Sequence, residues 1–316
     1  MDEQTKEILN FLEQNYTPLT TLHLNEDKKT FLGSKDNQTC RFCGKSEPDV
    51  TFRKIAHAIP EFTGNKRLFS HYECDSCNEK VSSLMESHMA NYMNIWHTFS
   101  QVRGKRGVPS FKTNAKKSRV DLLETGLNIQ YHEGDEIIEI DKENKQIKIT
   151  ATRATYTPIA IYKCLTKIAL TIMPENELDN FKNTLAWLFE EKHDESKYHL
   201  KALFLLFSFA PGIHPFDFQS CLLLKRKDNH KDNVPYMLFL LTYSNYAFQI
   251  YLPLCEMDKK LFGKEMTIKF IPTPIDLHDG INKIIRRKID LSSTEPIKGE
   301  KESVTMEFGN MEEQEL

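Results

Sequence analysis

Two Cys-x-x-Cys pairs constrain the fold of this chain more than any other feature. Cys40 and Cys43 form the first pair, Cys74 and Cys77 form the second, and residues 44–73 separate them. This spacing places two thiolates on one tight turn, and two such turns make a tetrahedral four-sulfur site that suits zinc. We therefore predict a structural zinc ion that holds both turns together.

The residues between and after the pairs predict a small ββα unit. A strand at 51–55 leads to His57, and a second strand is expected at 66–69. From Asn78 to about residue 100, apolar residues recur at three- and four-residue spacing, which indicates a helix. Such a small core needs a metal to be stable, so a zinc ribbon with a purely structural role is one interpretation.

Four short motifs occur in order along this stretch. They read CRFC at 40–43, AHAIPE at 56–61, GN at 64–65 and CDSCN at 74–78. Together they resemble the HNH endonucleases, a branch of the ββα-metal (His-Me finger) nucleases, over roughly residues 40–92. The resemblance implies an α+β protein that hydrolyses phosphodiester bonds.

The resemblance also implies roles for individual residues. His57 would be the general base that takes a proton from water. Asn65 would brace the loop that carries His57, and Asn78 would bind a catalytic divalent ion through its side-chain oxygen. Mg²⁺ or Mn²⁺ is the implied catalytic ion, because hard cations prefer oxygen ligands. The zinc on the cysteines would be separate and structural.

One position departs from the family pattern. The family often has an acidic metal ligand just before the histidine, where this chain has Ala56. Either another carboxylate supplies the ligand, for which Glu61, four residues after His57, is the best placed, or the site binds metal weakly. His71 is another possible ligand. Glu86 lies about 12 Å along the predicted helix from its start, so we expect a structural role for it. The nearby acids are Glu61, Glu73, Asp75 and Glu86.

A basic segment follows the predicted helix. Residues 87–120 contain no Asp or Glu. Such a segment can follow a phosphate backbone without reading its sequence, although a solvated basic loop is the alternative. The predicted nucleic-acid-binding residues are Arg103, Lys105, Arg106, Lys112, Lys116, Lys117 and Arg119.

The length of 316 residues predicts about two domains, and the net charge of −3 requires any nucleic-acid surface to be local. The nuclease unit is expected to precede a mixed α+β accessory domain. The predicted divisions are an N-terminal helix and linker at 1–38, the nuclease domain at 39–100, a basic loop at 101–120, the accessory domain at 121–291 and a disordered tail at 292–316.

The accessory region carries no motif that can be tied to a mechanism. Its pattern predicts a hairpin within 127–150, a helix from Pro158 to about Ile172, and strands in four apolar runs. The runs lie at 200–209, 219–225, 237–242 and 248–253. The helical part resembles the region after the nuclease unit in many prokaryotic proteins. Proteins with this architecture often belong to bacterial defence, so defence against phage or foreign DNA is the hypothesis for this chain.

Cysteine usage predicts a reducing cytoplasm. Cys164, Cys221 and Cys255 are isolated among apolar residues and are typical of buried free thiols. The N-terminus has no apolar leader and no run approaches 18 apolar residues, so no membrane partner is expected.

These observations predict a metal-dependent HNH endonuclease with DNA as substrate and RNA still open. It would act as a homo-oligomer or with a partner defence protein. Two alternatives remain. One is a zinc-stapled nucleic-acid-binding module whose nuclease site is degenerate, and the other is a nuclease effector gated by a ligand of the accessory domain.

Overall fold

The structure is a computed structural model. It describes residues 2–24, 28–36, 38–112, 118–123, 126–132, 138–191, 193, 198, 200, 202–212, 214–261, 263–277 and 284–311. The helices are α1 Glu3–Asn15, α2 Asp75–Val81, α3 Ser87–Phe99, α4 Pro158–Ile172, α5 Glu175–Leu178 and α6 Lys182–Leu188. The strands are β1 Tyr16–Leu24, β2 Thr30–Leu32, β3 Ala56–His57, β4 Leu68–Ser70, β5 Phe111–Lys112, β6 Arg119–Leu123, β7 Gly126–Gln130, β8 Ile138–Asp141, β9 Gln146–Thr152, β10 Phe204–Phe209, β11 Phe216–Arg226, β12 Met237–Ser244, β13 Tyr246–Tyr251, β14 Ile285–Asp290 and β15 Lys301–Glu307.

The largest sheet is antiparallel and has six strands in the order β1-β11-β12-β13-β10-β14. Each of the four predicted apolar runs contributes a strand to it, which confirms that part of the prediction. β12 and β13 consist almost entirely of buried residues. Their continuous apolar pattern is what a strand buried on both faces requires.

The N-terminal segment belongs to this sheet. Helix α1 begins at the cap residue Asp2, which accepts a hydrogen bond from the Thr5 amide at 2.6 Å, and β1 follows directly. The predicted linker is therefore wrong for residues 16–24. Proline and threonine residues there indicate a turn, but an edge strand tolerates proline, and the register shifts between Pro18 and Thr20.

Helix α4 lies at the centre of the molecule. All its residues are buried. It packs on β12 and β13, and it also contacts α3, α6 and the π-helical turn Ser82–Glu86 that joins α2 to α3. The helix begins at Pro158 and ends at Ile172 as predicted. The cysteine-bearing unit therefore rests on a helix that contacts the large sheet.

Three smaller sheets complete the fold. β2, β4 and β3 form one sheet within the cysteine-bearing unit. β5, β6 and β7 form the second. The predicted basic loop at 101–120 therefore contains β5 and the first residues of β6. β8 and β9 form the predicted hairpin and belong to the third sheet with β15.

The predicted disordered tail at 292–316 is wrong for residues 301–307. Strand β15 pairs with all seven residues of β9 in antiparallel register. The Arg153 side chain, 4% exposed, forms ion pairs with Glu300 and Glu302, the latter at 2.6 Å. Val304 is the buried apolar residue of β15. The strand is therefore stabilised mainly by pairing with β9, and its own sequence shows little of the apolar pattern that predicts a strand. The predicted fold class is confirmed, because a cysteine-bearing ββα unit precedes a sheet-rich region in a mixed α+β chain.

Candidate active site

The four paired cysteines converge on one point. Their sulfur atoms all lie within 4.8 Å of one another, and Sγ of Cys43 is 3.8 Å from Sγ of Cys74. A tetrahedral zinc ion with Zn–S bonds of about 2.3 Å requires sulfur atoms about 3.8 Å apart. This cluster therefore has the composition and spacing that could bind zinc.

Local backbone geometry prepares the cysteine turns for a metal. The Gly44 amide donates to the Cys40 carbonyl at 2.8 Å, and Gly44 has a φ of +69°, which favours glycine. The Cys74 amide donates to Sγ of Cys40 at 3.5 Å. Hydrogen bonding, chiefly from the Cys77 thiol, lowers the pKa of Cys40 to about 4. The thiolate is the form of cysteine that binds metal.

His57 lies at the end of β3, which pairs with β4. Its half-buried ring packs against Phe69 with 4.9 Å between ring centroids. Burial lowers the pKa of His57, the charge of Glu61 raises it, and the charges of Lys167 and Lys105 lower it. The net shift is downward, so the imidazole is neutral at pH 7 and can accept a proton.

Asn65 closes the loop that follows His57. Its side chain is 1% exposed and forms four hydrogen bonds with the backbone of that loop. The amide donates to the carbonyls of Ile59 at 2.7 Å and Leu68 at 2.8 Å. The side-chain oxygen accepts from the amides of Arg67 at 3.0 Å and Leu68 at 2.9 Å. These bonds tie both ends of the loop into one compact unit.

The structure separates the four acids that sequence analysis considered. Glu73 is buried in an ion pair with Lys167. Asp75 accepts hydrogen bonds from Thr51 and from two backbone amides. Burial raises the pKa of Glu86, and the charge of Lys167 acts in the opposite direction. Glu61 begins the turn after His57 and acts electrostatically on its ring.

Asn78 and His71 lie in different surroundings. Asn78 is in α2, one turn after Cys74, and its side chain has no hydrogen-bond partner among the residues that the structure describes. The His71 ring stacks on Phe31 with 5.4 Å between centroids. Ala56, where the family often has an acid, is 1% exposed. Asn78 therefore keeps its side-chain oxygen available, whereas His71 is engaged with an aromatic ring.

The basic turn, residues 103–106 after α3, packs directly on the loop that contains Glu61. Cβ of an alanine at Gly104 would lie 3.2 Å from Cα of Phe62 and 3.6 Å from the Glu61 carbonyl oxygen. The turn thereby holds exposed Arg103, Lys105 and Arg106 beside this loop.

The other predicted basic residues are not equivalent. Lys112 is exposed on β5. Arg119 forms an ion pair with Asp121, so its charge is already matched. Lys116 and Lys117 lie outside the described residues.

A groove of about 480 Å³ lies between the basic turn, the loop of Asn65 and the end of the large sheet. Phe216 and Phe218 line its sheet side, and Gln219 donates to the Thr63 hydroxyl at 2.9 Å across the junction. Its charged lining residues are Lys29, Lys66, Arg67, Arg103 and Asp217. Sequence reasoning missed this groove, because its residues come from separate segments that each lack a recognisable pattern.

Comparison with known proteins assigns a family to the nuclease-like segment. Residues 40–93 match the HNH endonuclease family, which confirms the resemblance over that segment. No curated protein and no solved structure matches the chain. Residues 40–93 are therefore similar to an HNH endonuclease domain, and that family implies a nucleic-acid substrate. Among the described residues, no helix is long and apolar enough to cross a membrane.

Proposed function

We propose that this protein is a metal-dependent endonuclease that uses His57 as its general base. The observation that carries the proposal is the placement of His57. A neutral imidazole lies at the end of β3, on a loop braced by Asn65, inside a segment that matches the HNH endonucleases. Glu61 and the basic turn lie against the same loop.

Each residue of the site has a separate role in the proposed reaction. His57 accepts a proton from water, and the resulting hydroxide attacks phosphorus. Asn78 and Glu61 are the proposed holders of a divalent ion, Mg²⁺ or Mn²⁺, and both offer the oxygen ligands such ions prefer. When bound, this ion would stabilise negative charge on the phosphate and the leaving oxygen. The four-cysteine site holds the two ends of the unit and takes no part in the reaction.

The proposed substrate is DNA, held by the basic turn and the groove. Nζ of Lys29 lies 5.6 Å from the centre of the Phe69 ring, and that ring packs on His57. The cationic lining of the groove therefore begins next to the proposed base. Phosphate groups along a strand can be held by such side chains without any reading of the bases.

The test is cleavage of plasmid DNA and of RNA by purified protein with Mg²⁺ or Mn²⁺. His57→Ala is expected to reduce cleavage by at least about 100-fold, since general-base catalysis contributes about 10²–10⁴-fold. His71→Ala is the matched control, because His71 lies in the turn after the neighbouring strand and its ring is engaged with Phe31. Equal cleavage by wild type and His57→Ala would show that His57 is not the base.

Two other outcomes of the same assay would favour the alternatives. Retention of DNA without cleavage by any variant favours a binding module, which the absence of an acid at Ala56 keeps open. Cleavage that requires an added small molecule favours a gated nuclease, and the groove beside the large sheet is where that molecule would be sought.

The cellular setting is also a proposal. The resemblance supports defence against phage or foreign DNA in the cytoplasm, and the buried free cysteines Cys164, Cys221 and Cys255 suit a reducing compartment. Expression of wild type should reduce phage plating, whereas His57→Ala should not.

A further inference from the structure

Helix α4 extends a lysine into the nuclease unit. Nζ of Lys167 lies 2.7 Å from Oε2 of Glu73, and the two side chains are 1% and 0% exposed. The same Nζ donates to the backbone carbonyl of His57 at 3.5 Å. Lys167 lies outside the segment that matches the nuclease family, yet it contacts the residue proposed as the base.

Stability alone is a weak explanation for this ion pair. Burying two charges costs several kcal/mol of solvation, and well-packed apolar residues often serve equally well. Apart from the ion pair through Oε2, the two Glu73 oxygens have no hydrogen-bond partner in the described part of the chain. The Lys167 ammonium also lies 5.6 Å from the Phe42 ring centre and senses the charge of Glu86.

A second contact fixes α4 against the nuclease unit. Nη1 of Arg41, within the first cysteine turn, donates to the carbonyls of Leu170, Thr171 and Met173 at 2.8, 2.9 and 2.8 Å. These are carbonyls at the end of a helix, which lack partners within it. Arg41 thereby sets the axial position of α4, and the position of α4 sets that of Lys167.

We propose that Lys167 is a positioning residue for His57, so that α4 of the accessory region forms part of the nuclease site. Lys167 fixes the His57 backbone relative to the zinc-proximal Glu73, and its charge favours the neutral imidazole. The charged groups that act on His57 are Glu61, Lys105 and Lys167. The proposal rests on the proposed nuclease function, and it predicts that the matched segment is not a self-sufficient enzyme.

The test compares wild type with the double variant Lys167→Met/Glu73→Gln. Both charges are removed together, because Lys167→Met alone would leave Glu73 buried without a partner. The His57 pKa is measured by NMR titration of the ring proton, assigned by its loss in His57→Asn, and kcat and KM are measured on plasmid DNA. We expect the His57 pKa to rise and kcat to fall about 10- to 100-fold with KM unchanged, because small misplacements of a reacting group carry this cost.

Lys163→Met is the matched control. Lys163 is also buried on α4, but its Nζ donates to the Glu190 carbonyl at 2.8 Å and lies 5.1 Å from the Trp187 ring centre, within the accessory region. This variant should leave the His57 pKa and kcat unchanged. A double variant that keeps its zinc and circular dichroism and also keeps the wild-type His57 pKa and kcat would overturn the proposal. Wild-type protein that cuts nothing would instead count against the nuclease function, and the titration would still decide whether Lys167 acts on His57.

Discussion

His57 and Asn65 show how single residues prepare the site. Burial of the His57 ring keeps it neutral, and Asn65 satisfies backbone groups that would otherwise be buried without partners. In the proposed mechanism His57 supplies the reactive group, and Asn65 supplies the shape of the loop that holds it. Both effects depend on burial, so both are sensitive to small changes in the loop.

The pH dependence of cleavage follows from the lowered pKa of His57. The base is active when neutral, so activity is present above the folded-state pKa and is lost as pH falls through it. That loss should have its midpoint below pH 6.5, the ordinary value for histidine. The measurement is kcat against pH with the metal ion kept saturating. A midpoint above pH 6.5 would contradict the lowered pKa.

Asn65→Ala should destabilise the protein by about 2–4 kcal/mol, because it leaves several buried backbone groups without partners. Urea denaturation measures this change. Asn91→Ala is the control, since the Asn91 side chain makes one exposed hydrogen bond to the Thr155 carbonyl and should cost less than about 1 kcal/mol. Similar losses in the two variants would show that the four hydrogen bonds of Asn65 do not stabilise the loop.

At the scale of secondary-structure elements, short turns position the residues of the site. The cysteine turn at 40–43 and the start of α2 meet at the sulfur cluster, and the 3₁₀ turn Glu61–Thr63 meets the basic turn at Gly104. Neither meeting requires a large buried area. The first brings together four thiol groups that could bind zinc, and the second requires a residue without a side chain at Gly104.

Removing a cysteine ligand should release the metal and unfold the unit. Cys74→Ser is expected to lower the zinc content from about one per chain to near zero, because a structural site of this kind contributes folding free energy directly. Elemental analysis and circular dichroism are the measurements. Cys255→Ser, a buried cysteine outside the cluster, should keep its zinc. Full stability of metal-free wild type would disprove a structural zinc.

Gly104→Ala should weaken DNA binding about 3- to 10-fold, because the new Cβ would press on the Phe62 backbone and displace the basic turn. Fluorescence anisotropy with a short duplex measures the affinity. Gly309→Ala is the control, since within the described residues no atom beyond its two chain neighbours lies within 4 Å of the added Cβ. Unchanged affinity in Gly104→Ala would mean that the position of the turn does not matter for binding.

At the scale of the whole molecule, segments far apart in the sequence pack against one another. β1 from the N-terminal region completes the edge of the large sheet, and β15 from the C-terminal region covers β9. Helix α4 contacts both that sheet and the nuclease unit. The divisions between the predicted domains are therefore crossed at both ends of the described chain.

Truncation after residue 298 should destabilise the protein by about 3–5 kcal/mol, because it leaves the buried charge of Arg153 without its acidic partners. Truncation after Phe308 keeps β15 and is the control. Urea denaturation of both forms gives the comparison. Equal stability of the two truncated proteins would show that β15 contributes nothing to the fold.

Local sequence patterns were sufficient to predict part of this molecule. The spacing of Cys40, Cys43, Cys74 and Cys77 alone predicts the metal cluster, because each pair is one turn of backbone. The ordered motifs predict the family, and helical periodicity with Pro158 predicts α4. Each of these signals lies within a few neighbouring residues, so no knowledge of distant contacts is needed.

The other features of the fold and of the candidate site depend on tertiary structure. The sequence around Lys167 reads as one face of a buried helix, and only packing brings its ammonium to Glu73 and His57. The groove joins five separate segments, and β15 acquires its order from β9. These features depend on free energies between groups far apart in the chain, for which the local pattern carries no signal.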